Sequence, residues 1–212
     1  MTSTEELREK LIDAVLGHVP FDGWGEVALL AAAKDLGIDR GLALNAFPGG
    51  AAEMIEYHSC LADRRMVAAF EAAEPAGLKL SEKVALAVRL RLAANIPHRE
   101  AIRRAVALLA LPTHAVLAAR LLYRTVDAVW YAVGDRSTDF SFYTKRGLLA
   151  GVYSATLLYW LNDKSPDCTE TWAFLDRRIA DVMRIPRAKA RLTALGEKLP
   201  DPFRLLRRRP AR

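Results

Sequence analysis

Apolar residues recur at three- and four-residue spacing along almost the whole of this chain, interrupted at Gly and Pro, and strand-like alternation is essentially absent. A chain with that period has one way to bury its apolar stripes, which is to pack helix against helix. The spacing predicts helices over 4–18, 24–36, 40–47, 50–73, 80–94, 98–110, 113–133, 141–162, 168–183 and 187–198. Of the 212 residues 52% are apolar, enough for a sizeable core, so the expected fold class is all-α with about ten helices. Asp167-Cys168-Thr169-Glu170 offers a cap followed by a glutamate, a capping-box start for the helix that carries Trp172, Leu175 and Ile179.

Charge divides the chain. Residues 1–76 hold 6 Arg or Lys against 13 Asp or Glu, and residues 77–212 hold 25 against 12, so a net −7 faces a net +13. The two parts are expected to meet different partners. Glu74-Pro75-Ala76-Gly77 reads as the joint between them. Three regions follow: 1–76, 77–183 and a basic terminal segment 184–212. The opening MTSTEELREK is acidic and helix-like, unlike a signal or transit peptide, which suggests a cytosolic and bacterial chain. Cys60 and Cys168 stand far apart without metal-site spacing and are expected as buried or partly buried thiols.

Catalytic patterns are missing. His18, His58, His98 and His114 form no His-x-x-x-His pair, and no Glu-x-x-His occurs to build a di-iron site. Glu53, Glu56 and His58 cannot all share one helix face. Gly-rich phosphate loops and a nucleophile elbow are also lacking. The expectation is of no catalytic residue, no metal and no resident cofactor, with each histidine on the surface or hydrogen-bonded in the structure. Asp127 and Asp163 are the carboxylates an enzymatic alternative would use.

Two long helices are strongly apolar. One presents Val116, Leu117, Leu121, Leu122, Val126 and Trp130, the other Leu148, Leu149, Val152, Tyr153, Thr156, Leu157 and Trp160. They could pack against each other or enclose a pocket. Residues 105–119 are uncharged, but 15 residues broken by Pro112 are short of the roughly 20 that span a bilayer, so a buried hairpin is expected. Gly147-x-x-x-Gly151 would permit close approach of a neighbouring helix or a lipid chain. From Arg184 onwards ten Arg or Lys accompany Glu197 and Asp201, with Ile185, Ala188, Leu192, Leu195 and Leu199 on one face, the pattern of a helix that lies in a lipid interface.

Val27–Leu36, the turn Gly37-Ile38-Asp39 and Arg40–Phe47 resemble the helix-turn-helix of tetracycline-repressor-type regulators. The groove-facing helix offers Arg40 alone, within an acidic segment, so no nucleic-acid partner is expected. A ligand-responsive regulator is the alternative reading.

Residues 134–183, GDRSTDFSFYTKRGLLAGVYSATLLYWLNDKSPDCTETWAFLDRRIADVM, resemble the signature block of the lipid-binding accessory proteins of ubiquinone (coenzyme Q) biosynthesis. That resemblance implies a tetracycline-repressor-like architecture, a bound isoprenoid or quinone lipid, and presentation of it to the di-iron demethoxyubiquinone hydroxylase. It implies a lipid site at Val116, Leu117, Leu121, Val126, Trp130, Leu149, Val152, Tyr153, Thr156 and Trp160. Partner docking would fall on Asp139, Phe142, Tyr143 and Arg146, and membrane contact on Ile185, Arg187, Lys189, Leu192, Leu195 and Leu199. A homodimer, cytoplasmic and peripheral on the inner face of a bacterial cell membrane, completes the expectation.

Overall fold

The computed structural model describes the backbone of residues 3–135 and 140–196 and the side chains of residues 4–135 and 143–183. Among the described residues the chain is all helical, in the order α1 (Ser3–Asp22), α2 (Glu26–Asp35), α3 (Arg40–Ala46), α4 (Gly50–Ala72), α5 (Leu80–Ala93), α6 (Arg99–Leu109), α7 (Ala115–Ala132), α8 (Phe140–Asn162) and α9 (Thr169–Gly196). Three short 3-10 turns precede α6, α7 and α9. Every helix the periodicity predicts is present, except that the two expected at the end are one continuous helix, α9.

Two hydrophobic clusters form the core. The first gathers Leu11, Ile12, Val15 and Val19 of α1, Ala28 and Leu29 of α2, Phe47, and Met54 and Ile55 of α4. Ala101 and Ala105 of α6 close it, and the Trp24 indole donates to the Ala101 carbonyl at 2.9 Å. The second gathers Met66 and Phe70 at the far end of α4 with Val84 and Val88 of α5, Val126 and Trp130 of α7, Leu149, Val152 and Trp160 of α8, and Leu175 of α9. Because α4 runs through both, apolar packing crosses residue 76 in each direction.

Asp39 caps α3, its carboxylate accepting from the Leu42 amide at 3.1 Å, and Gly37 supplies the left-handed residue of the turn before it. The start of α9 is capped differently from the sequence expectation. Asp167 is left-handed, with φ 52°, and its carbonyl accepts from the Trp172 indole at 2.8 Å. The orphan amides go instead to Asp163, which accepts from Thr171 at 2.9 Å, and to Ser165, whose hydroxyl accepts from Glu170 at 3.1 Å.

Residues 105–119 turn from α6 into α7, two helices bent 94° from each other, and among the described residues no single helix is long and apolar enough to cross a membrane. Gly147 and Gly151 face open space, so neither serves a close helix contact within this chain.

Candidate functional site

The helices α4 to α8 line a largely apolar, half-open cavity of about 340 Å³, at the lower end of the range of small-ligand sites. Ile55 of α4, Leu92 of α5, Ile102, Val106 and Leu109 of α6, Leu121 and Leu122 of α7, and Leu157 of α8 supply its apolar wall. Its periodic helix faces explain why these side chains converge: each helix turns one stripe inward, and five stripes meet here.

Most of the polar groups in this wall belong to one buried network. Arg91 of α5 is 9% exposed and directs its Nε to Asp63 at 2.6 Å, one terminal nitrogen to the Tyr153 hydroxyl, and the other to Ser59 at 3.2 Å and Thr125 at 3.1 Å. Burial alone would favour the uncharged guanidine, but Tyr153 and Asp63 hold Arg91 firmly cationic. Burial likewise pushes the Tyr153 hydroxyl above its ordinary range, so the network is one cation balanced by one carboxylate.

Two further polar side chains in the wall lack a partner. His58 is buried with no hydrogen-bond partner at Nδ1, and Trp160, fully buried, has none at its indole nitrogen. Burial, with Arg91 and His98 adding positive potential, lowers the His58 imidazole to about 4, so it is neutral at physiological pH. This histidine departs from the expectation of a surface or satisfied residue. His18 fits it, sitting 2.7 Å from Asp35.

The expected lipid-site residues are divided by the fold. Leu121, Tyr153 and Trp160 line the cavity. Val126, Trp130, Leu149 and Val152 belong to the second core cluster, and Thr156 is buried with its hydroxyl donating to the Val152 carbonyl at 2.7 Å. Leu117 packs on the first core, while Val116 is 83% exposed. Sequence reasoning missed the walls from α4, α5 and α6, since a stripe facing a cavity has the same period as one facing a neighbour.

Of the expected docking residues, Tyr143 is exposed and Arg146 is buried, bonded to Asp127 at 2.6 Å. Asp139 and the Phe142 side chain lie outside the described residues, as do the side chains of Ile185, Arg187, Lys189, Leu192 and Leu195 and all of Leu199. Asp127 and Asp163 are both engaged, the first by Arg146 and the second in capping α9. Glu53 pairs with Arg8, Glu56 with Arg120 and Arg124, and among the described residues no group of three metal-ligating side chains comes together. Arg40, the one cation of the groove-facing helix, pairs with Glu26 at 2.9 Å.

A small helix-turn-helix part joined to a larger helical body that holds a cavity defines the tetracycline-repressor-like architecture. The TetR transcriptional regulator from Nitrosomonas europaea matches it with a TM-score of 0.70 over 84% of this chain and 98% of that one, at 22% identity, a likeness of fold. Residues 115–186 match the COQ9 family model. The Xenopus laevis "Ubiquinone biosynthesis protein COQ9-B, mitochondrial" is 33% identical over 202 residues, covering 92% of this chain and 69% of that protein. The rat COQ9 protein is 33% identical over 93% of this chain, and the human one 32% over 93%. The chain belongs to the COQ9 family. It spans 65% of the rat protein's length and 64% of the human protein's. The rat, human and Dictyostelium discoideum relatives are named as mitochondrial proteins, which overturns the expected place on a bacterial cell membrane.

Proposed function

We propose that this chain is a non-enzymatic accessory factor in ubiquinone biosynthesis that holds an isoprenoid quinone intermediate in the α4–α8 cavity and presents it, at a membrane surface, to the demethoxyubiquinone hydroxylase. The observation that carries this reading is the cavity itself: a largely apolar, half-open pocket among five helices, with few polar groups in its wall. The relatives' names, ubiquinone biosynthesis proteins, supply the pathway.

At about 340 Å³ the chamber suits a ring and the first part of its chain. Apolar burial contributes about 25 cal/mol per Å² against water, but a lipid leaving a bilayer exchanges one apolar medium for another. Loading and release therefore cost little, as presentation requires. The basic segment 184–212 is the part suited to an anionic lipid surface, and the exposed Tyr143 near the start of α8 is the described part of the docking face.

The test is to purify the full chain from a ubiquinone-making cell, extract it, and identify its lipids by mass spectrometry beside a Ser154→Phe variant, which places a ring in the cavity wall. Near-stoichiometric quinone or other isoprenoid lipid in the native chain, lost from Ser154→Phe at an unchanged melting temperature, is the expected result. A native chain that is reproducibly empty overturns the proposal.

A further inference from the structure

The corner that joins α6 to α7 departs from the buried hairpin expected over residues 105–119. Its tip is exposed: Ala107, Ala110, Leu111, Pro112, Ala115 and Val116 all face solvent, Leu111 at 52% and Val116 at 83%. The run holds no charge, and Thr113 is its one exposed polar side chain. Charge resumes close by on either side. Arg103 and Arg104 precede the run and share Glu100, while Arg120 and Arg124 follow it and share Glu56, so each flank sets two cations against one carboxylate. The cavity comes to the surface beside this tip. Of its lining residues only Ala110, just after α6, and Leu158 of α8 are exposed, so its opening lies between the corner and α8. Arg103 ties the two sides of that opening together, donating to Asn162 at the end of α8 at 3.1 Å.

We propose that the α6–α7 corner inserts into the apolar layer of a membrane, with the flanking arginines at the level of anionic headgroups, and that lipid enters the cavity between this corner and Leu158. This rests on the lipid-carrying reading above and names the entrance to that cavity. Two helices bent by 94° make a wedge for one leaflet rather than a span. A hydrocarbon surface asks only for apolar side chains with spare positive charge behind them, and the corner supplies both. A protein partner would draw on aromatic anchors, and the run of 105–119 contains no Phe, Tyr or Trp. Lipid that leaves the bilayer beside Leu111 meets Ala110 and the cavity wall without its tail crossing water. A few apolar side chains do not hold a chain of this size on a membrane by themselves. The basic segment 184–212 brings the chain there, and the corner sets which way the body faces.

The test attaches a fluorescent label to the full chain at Leu111→Cys, at Val116→Cys or, as a remote control, at Ala72→Cys. Vesicles of phosphatidylcholine and phosphatidylglycerol with a nitroxide on the acyl chains are then added. Ala72 is exposed at the end of α4, about 24 Å along that helix from the Glu56 that meets Arg120. The native chain labelled in parallel corrects for the partly buried Cys60, and Cys168 is buried. The nitroxide is expected to quench the labels at Leu111→Cys and Val116→Cys and to leave the one at Ala72→Cys bright. Leu111→Gln combined with Val116→Gln removes apolar surface without adding charge, at two side chains the fold does not bury. This double variant is expected to bind the same vesicles about tenfold more weakly and to take up a geranyl-benzoquinone from them more slowly. Its uptake of the same quinone from detergent should match the native chain's. Corner labels that stay bright on a chain that floats, equal quenching at Ala72→Cys, or a double variant that binds and loads like the native chain overturns this inference and leaves lipid carriage intact. A native chain that floats but takes up quinone from neither source overturns lipid carriage, and the entrance with it. A native chain that does not float overturns the membrane contact.

Discussion

Arg91 and Asp63 form an ion pair buried beside the cavity. Both are under a tenth exposed, and the pair is fully hydrogen-bonded, so removing one partner leaves a bare charge in the core. Asp63→Ala is expected to cost about 3–5 kcal/mol in denaturant unfolding, while the double change Asp63→Leu with Arg91→Met recovers most of it. His58 gives a separate signal. Its imidazole falls from 6.5 to about 4 on burial, so the unfolded chain holds the extra proton between those values. The His58 contribution is present above pH 6.5 and is lost as pH falls towards 4, a total of about 3 kcal/mol. Unfolding midpoints at pH 7.5 and pH 4.5 should converge in His58→Gln relative to the native chain. None of this was readable from the positions alone: His58 looks like any helix histidine until the helices packed against α4 bury it.

At the scale of the element, the sequence rules worked best where the signal was local. The helix stripes, the Asp39 cap and the Gly37 turn depend on neighbours within a few residues, and all are where the spacing puts them. The cap of α9 differs from the expectation because Asp167 and Asp163 both stand before the helix, and with the backbone left-handed at Asp167 and Cys168 it is Asp163 that turns in. Burial works against the Asp163 anion, but hydrogen bonds from Ser165 and Thr171 outweigh it and hold the carboxyl at about 2. Its contribution is therefore intact above pH 3.8 and is lost towards pH 2, outside the His58 window. Asp163→Ala should lower stability by about 1–2 kcal/mol at neutral pH and flatten the acid limb of the unfolding curve below pH 4.

Across the whole molecule the charge division is the dominant pattern, with the acidic helix-turn-helix part at one end of the sequence and the basic segment at the other. The proposed membrane attachment belongs to this scale, because several basic residues must act together at about 1 kcal/mol each. The full chain is expected to float with vesicles containing anionic lipid and to stay behind with neutral vesicles or at high salt. A chain ending at residue 183 should float with neither. Flotation of that truncated chain would place the membrane contact elsewhere on the body.

Fold class, the helix boundaries as far as the start of α9, the helix-turn-helix and the family are all legible in the sequence, because periodicity, turns and a distinctive block of aromatics and charges are local patterns. The tertiary structure decided where the cavity lies. Val116 and Trp130 share a stripe with Leu121, yet Val116 faces solvent, Trp130 fills the second core and only Leu121 reaches the chamber. A stripe specifies that a face is covered, and only the meeting of α4 to α8 specifies whether another side chain or a hollow covers it. Arg146 makes the same point for charge: its place in the block suggests a docking surface, and the approach of α7 gives its guanidinium to Asp127.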